Sequence, residues 1–215
     1  MLTLTQSRRR VLIGLAASPL VVSKAVASPS ASSLSAEDNA RVVAANAYLS
    51  SVTSVYGRFK QTDARGALST GQIWLRRPGK ARFQYDPPSE LVVVSDGLTV
   101  VVNDRKLKTF DQYPLAATPL RILLAKQVRL DKSVVVEEVV ETSQGFSITA
   151  RDGRKRKDGA IILNFAAEPM ALIGWTVVDA QGQRTQVSLS GLDSVSELDP
   201  KLFVLRDPRS GKGRP

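Results

Sequence analysis

Apolar and polar positions along this chain change period, and each change predicts an element. Val42, Ala45, Leu49 and Val52 recur at helical spacing, which predicts a helix with one apolar face running to about Ser54. Its start is marked by Ser35-Ala36-Glu37-Asp38, a Ser followed three residues later by an acid. From Gly57 the period becomes two. Phe59 and Gln61 alternate with Arg58 and Lys60, Ile73 and Leu75 with Gln72, Trp74 and Arg76, and Ala81, Phe83 and Tyr85 with Arg82 and Gln84. Turn residues at Asp86-Pro87-Pro88, Asp96-Gly97 and Asn103-Asp104 then bound strands over Glu90–Ser95, Thr99–Val102 and Lys106–Phe110.

The stretch Tyr113 to Gln127 interrupts the strands. Thr118-Pro119 starts a short apolar helix carrying Leu120, Ile122, Leu123 and Leu124, a candidate cover for one face of the sheet. Strands resume at Val134–Val140, Phe146–Ala150, Ala160–Phe165, Leu172–Asp179 and Arg184–Leu189, with a last short strand expected at Leu202–Leu205. The result is an α+β chain with one sheet of about eleven strands. A sheet this large curls or gains a second layer, and these few helices make no full layer. A strongly curved antiparallel sheet wrapped around them, with an apolar cavity on its concave side, is the expected architecture.

The amino terminus reads as an address. Arg8, Arg9 and Arg10 precede the apolar run Val11–Val22, and Ala25-Val26-Ala27 supplies a cleavage pattern, so residues 1–27 are expected to be a removed signal peptide. The run is shorter than the roughly 20 residues a membrane crossing needs. Ser7 to Leu12 also fits a twin-arginine signal, and both export routes lead to the periplasm of a Gram-negative cell. Residues 28–35 read as a flexible leader, 36–206 as a single domain and 207–215 as a polar tail. Removing residues 1–27 takes away four basic residues and no acid, which lowers the formal charge from +10 to +6.

Cysteine and histidine are both absent. The common catalytic triads, thiol nucleophiles and His-based metal sites are therefore unavailable, and no lipid-attachment cysteine makes the chain itself a lipoprotein. Neither catalytic residues, metal nor cofactor is expected. Nucleic acid is not expected as a partner either, because the chain reads as exported and its basic patch lacks interleaved aromatics.

Several segments in order resemble the LolA family of outer-membrane lipoprotein carriers. They are Gly57-Arg58-Phe59-Lys60-Gln61, Gly71 to Lys80, Phe83-Gln84-Tyr85-Asp86-Pro87-Pro88, Val93 to Gly97, Thr118-Pro119 and Val178 to Thr185. The resemblance implies an incomplete antiparallel barrel whose open side is closed by a helical lid. It implies acylated lipoproteins as cargo, taken from an inner-membrane lipoprotein-releasing ABC transporter and handed to an outer-membrane receptor or to the membrane directly, by a monomer. Two departures stand out: Tyr85 replaces a common Trp, and the ending after Asp207-Pro208 is short and basic.

Arg77 shares parity with Ile73 and Leu75, so it begins on the inner side of its strand. A guanidinium there needs acceptors, and the last carbonyls of the lid helix, around Leu123, Leu124, Ala125 and Lys126, are unsatisfied within the helix. In the resembling family the arginine at this position latches the lid. Reaching solvent is the alternative for Arg77. Arg76, of opposite parity, is expected to tolerate Leu. Phe59, Ile73, Leu75, Phe83, Tyr85, Leu91, Val93, Val100, Val102, Ile122, Leu123 and Leu124 form the expected acyl-contacting set, about half of it plain core. The loop carrying Arg151, Arg154, Lys155, Arg156 and Lys157 is either a dock for an acidic partner or anionic headgroups, or a solvated hairpin tip. Two rivals to a lipoprotein carrier remain: a carrier of another lipid on the same fold, and a non-transporting β-rich envelope assembly or signalling protein.

Overall fold

The structure is a computed structural model that describes residues 34–126, 134–153 and 159–207. The signal-peptide, leader and tail expectations at 1–33 and 208–215 fall outside those residues. Helix α1, Ala36–Ser51, begins where the capping pattern placed it, with the Ser35 side chain accepting from Asp38 N–H at 3.0 Å. It ends three residues before the expected Ser54, because that residue already opens the first strand. Val42, Ala45 and Leu49 are its buried face.

Eleven antiparallel strands follow: β1 Ser54–Thr62, β2 Leu68–Arg76, β3 Lys80–Tyr85, β4 Leu91–Asp96, β5 Thr99–Asp104, β6 Thr109–Pro114, β7 Val134–Thr142, β8 Gly145–Asp152, β9 Ala160–Ala166, β10 Ala171–Val178 and β11 Arg184–Ser194. They lie in the order β6-β5-β4-β3-β2-β1-β11-β10-β9-β8-β7. Every pair of strands adjacent in the sheet is consecutive along the chain except β1 with β11, whose antiparallel pairing joins the two wings. β6 and β7 end the sheet, so it is not closed.

A single 3-10 turn at Leu115–Ala117 leads from β6 into the lid helix α2, Leu120–Leu123. Ile122 and Leu123 of α2 pack with Ile148 and Ala150 of β8, while the adjoining Leu124 packs with Leu75, Ala81 and Val100 of β2, β3 and β5. One short segment touching strands from both wings requires the wings to bend toward each other, which is the expected strong curvature.

Two strand expectations need correction. Lys106 lies in the turn between β5 and β6, where Asp104 accepts from Leu107 N–H at 3.0 Å and Lys108 takes φ 55. The strand is thereby displaced to Thr109–Pro114. The segment at Leu202–Leu205 is not a strand either: Pro200–Phe203 is a 3-10 turn capped by Asp199, which accepts from Lys201 N–H at 2.8 Å. This turn covers the convex face, where Leu198 and Phe203 bury Val92 and Val94, the outward residues of β4. That is why β4 is apolar on both faces. Among the described residues no helix is long and apolar enough to cross a membrane.

Candidate functional site

The inner face of the sheet carries the strand residues of the expected set, from Phe59 to Val102. Phe59 pairs with Gly71 across β1 and β2, and its ring lies over the glycine, where a Cβ would stand 2.6 Å from the ring edge. Phe59 meets Tyr85 edge-on at 5.0 Å and Phe83 at 5.5 Å, and Phe83 meets Trp175 at 6.1 Å. Such perpendicular pairs contribute beyond their buried area. The Tyr85 hydroxyl donates to Gln61 at 2.8 Å, and burial pushes its pKa up to about 12.

Phe59, Ile73, Leu75, Val100, Ile122, Leu123 and Leu124 are fully buried in this state, whereas Phe83, Tyr85, Leu91, Val93 and Val102 are half-buried. Register places Leu91, Val93, Val100 and Val102 on the same face as Phe83, because Phe83 opposes Val93 and Val93 opposes Val102. Val42, Ala45 and Leu49 of α1 and Ile122, Leu123 and the adjoining Leu124 of α2 join the apolar clusters of this face. Clefts of about 790 and 700 Å³ lie on the convex face and are lined by polar residues such as Asn164 and Gln186. The other wing's inner residues, Ile148, Leu163, Phe165, Trp175 and Val187, belong to the same apolar surface and were missed. Their alternation along β8 to β11 was the available signal.

Arg77 holds both helices. It lies in the β2–β3 turn just past the end of β2, and its side chain turns inward. Its Nε donates to Leu123 O at 2.9 Å, at the end of α2, and its Nη1 donates to Leu49 O and to Val52 O, the latter at 2.7 Å, at the end of α1. Carbonyls at helix ends lack partners within the helix, and a cation there also complements the helix dipole. Of the four residues expected to accept, Leu123 does so. The acceptors on α1 were not foreseen. Burial lowers the Arg77 pKa to about 10, partly offset by Tyr48, so the guanidinium stays charged at neutral pH.

The turn after Arg77 supplies a second attachment. Gly79 N–H donates to Leu124 O at 2.7 Å, and its carbonyl accepts from the buried Ser95 hydroxyl at 2.6 Å. Gly79 has φ 75, and a Cβ there would lie 2.6 Å from Gly97 Cα, so the position requires glycine. On the far side of the lid Arg121 of α2 forms an ion pair with Asp152, the last residue of β8. Nothing in the local sequence marked that pairing.

Arg76 points outward, as its parity required, but it is not idle. It donates to Leu198 O at 3.1 Å and lies 5.9 Å over the Phe203 ring, contacts on the convex face that a Leu would not make. Of the basic set, Arg151 lies in β8, where its Nε donates to Glu137 of β7 at 2.7 Å. Arg154, Lys155, Arg156 and Lys157 lie outside the described residues.

Residues 50–206 match the family model described as the outer membrane lipoprotein carrier protein LolA. An outer-membrane lipoprotein carrier protein of Chromohalobacter salexigens is 28% identical over 172 residues, covering 75% of this chain and 80% of that one. One from Xanthomonas campestris pv. campestris is 32% identical over 147 residues, covering 63% and 69%. A crystal structure of the LolA superfamily protein NE2245 from Nitrosomonas europaea is a more distant likeness, with 12% identity and a TM-score of 0.44 over 78% of this chain and 97% of that one.

Proposed function

This chain belongs to the LolA family of outer membrane lipoprotein carrier proteins, and from that premise we propose that it is a periplasmic chaperone shielding lipoprotein acyl chains between its curved sheet and its helical lid. The cargo comes from an inner-membrane lipoprotein-releasing ABC transporter and goes to an outer-membrane receptor or directly to the membrane. The observation that supports this most is the attachment of the lid: Arg77 fastens the ends of both covering helices over an apolar floor.

An exchange of lid for lipid is energetically reasonable. Ile122, Leu123 and Leu124 bury side chains worth about 1.5–3 kcal/mol each, so uncovering them costs about 5–9 kcal/mol. At about 0.8 kcal/mol per methylene, roughly 6–11 methylenes replace that burial, fewer than one long acyl chain holds. The hydrogen bonds of Arg77 add to the closed, empty state, at about 1.5–3 kcal/mol each for a charged donor. Closure then favours release, and reopening the lid against both terms takes roughly 11–22 methylenes, the content of one to two long acyl chains.

The test is extraction of a lipidated protein from inner-membrane vesicles by the purified protein lacking residues 1–27. A soluble complex of the two is expected, along with binding of an apolar dye that lipopeptide displaces. Dye binding without competition from any acylated peptide contradicts the lipoprotein reading while leaving the apolar site intact. Val93→Asp, which puts a charge on the inner face, is expected to weaken both.

A further inference from the structure

We propose that Arg121 and Asp152 form a second catch on the lid, a positioning pair that fastens α2 to the far wing of the sheet while Arg77 fastens it to the near wing. The purpose of opening rests on the carrier reading above; the catch itself is a property of the lid.

The topology makes this pair more than a local contact. α2 follows β6, one end strand of the open sheet, and Asp152 ends β8, which lies beside β7 at the opposite end. Among the described residues β6 and β7 do not pair, and the Arg121–Asp152 pair links α2, which follows β6, to β8 beside β7. Arg121 stands between Leu120 and Ile122, in a four-residue helix whose apolar side chains pack downward. Its cation leaves that face sideways and reaches the carboxylate of the far wing.

The side chains of Arg121 and Asp152 are 29% and 15% exposed, so bulk salt screens the pair only partly. Beneath it the gap lined by Thr118, Ile122, Asp152 and Gly159 holds about 10 Å³, barely room for one water, so the lid is seated closely along this edge. The two fastenings differ in chemistry. Arg77 binds main-chain carbonyls and senses whether both helix ends are in place, whereas the far catch joins two opposite charges and weakens as ionic strength rises.

The absence of cysteine makes a specific test available. Ala81 lies on the inner face under Leu124 and is 2% exposed, so a thiol introduced by Ala81→Cys reacts with a soluble maleimide only when the lid lifts. In that background Asp152→Asn and Arg121→Gln are each expected to quicken labelling about tenfold, equivalent to about 1.4 kcal/mol, and the two together no more than either alone. Asp152 has other interactions as well, which is why the pair is read through the combined variant. Raising salt should quicken labelling of the parent but not of the single variants.

Reversal of both charges, Arg121→Asp with Asp152→Arg, should return labelling to within about threefold of the parent. Unchanged labelling in both single variants overturns the catch, as do effects that multiply in the double variant. If a single variant loses its β-sheet signal, the reversal decides: restored slow labelling supports the pair and unrestored labelling overturns it. The assay contains no lipid. Failure of the parent to extract a lipidated protein would therefore refute the carrier reading and leave this result standing.

Discussion

Arg76 and Arg77 are consecutive at the end of β2 and hold opposite faces of the same sheet. Arg77 reaches inward to Leu123, Leu49 and Val52, while Arg76 reaches outward to Leu198 and the Phe203 ring. The alternation of a strand makes this division possible with no intervening residue.

The outer arginine should therefore matter to stability and not to the lid. Arg76→Leu removes one charged hydrogen bond to a carbonyl and a cation–π contact on a half-buried site, an expected loss of about 1–2 kcal/mol. Thermal unfolding should shift down by about 2–8 °C for a chain of this size. Dye affinity should stay within about twofold of the parent; a large loss of affinity would mean that the convex segment and the lid are coupled.

Gly79 joins the β2–β3 turn to the lid, and its backbone conformation leaves no place for a side chain. Gly79→Ala puts a Cβ against Gly97 Cα at a positive φ, for an expected cost of about 1–3 kcal/mol. The bond from Gly79 N–H to Leu124 O should weaken as the turn shifts. Hydrogen exchange at the Gly79 amide, faster in the variant than at amides of β9, is the measurement.

Lid closure should be indifferent to pH near neutrality. The chain has no histidine, and burial pushes Tyr85 up to about 12 and holds Arg77 down at about 10. Because burial in the closed state lowers the Arg77 pKa below that of a free guanidinium, its titration favours closure only as pH rises above about 10, and that gain is lost as pH falls through 10. Dye binding measured from pH 6 to 9 should be flat, and a slope there would point to another titrating group in the lid.

Sequence pattern disclosed the fold to the extent that local rules governed it. Alternation on β1 to β3 placed Phe59, Ile73, Leu75 and Phe83 inward correctly, since each strand has one apolar face. The parity of Arg77 gave its direction for the same reason. Position 106 was misread because Leu107 continues an apparent alternation, whereas the bond from its N–H to Asp104 makes a turn. Leu202–Leu205 misled because an apolar run on a convex face resembles a strand. Acceptors at Leu49 and Val52 and the link between Arg121 and Asp152 depend on how the wings bend, which no local pattern encodes.

The central claim is that Arg77 stabilises the closed, empty carrier, and release is the step that reads it directly. Arg77→Leu removes three hydrogen bonds to the two helix ends, so the open, loaded form gains relative to the closed one. Arg77→Lys keeps the charge without the fork of donors and should fall between the two. The measurement is the rate at which a preloaded carrier gives up a lipidated protein to acceptor outer-membrane vesicles. The account predicts normal loading and release slowed at least about tenfold in Arg77→Leu; equal release from the parent and Arg77→Leu would contradict it.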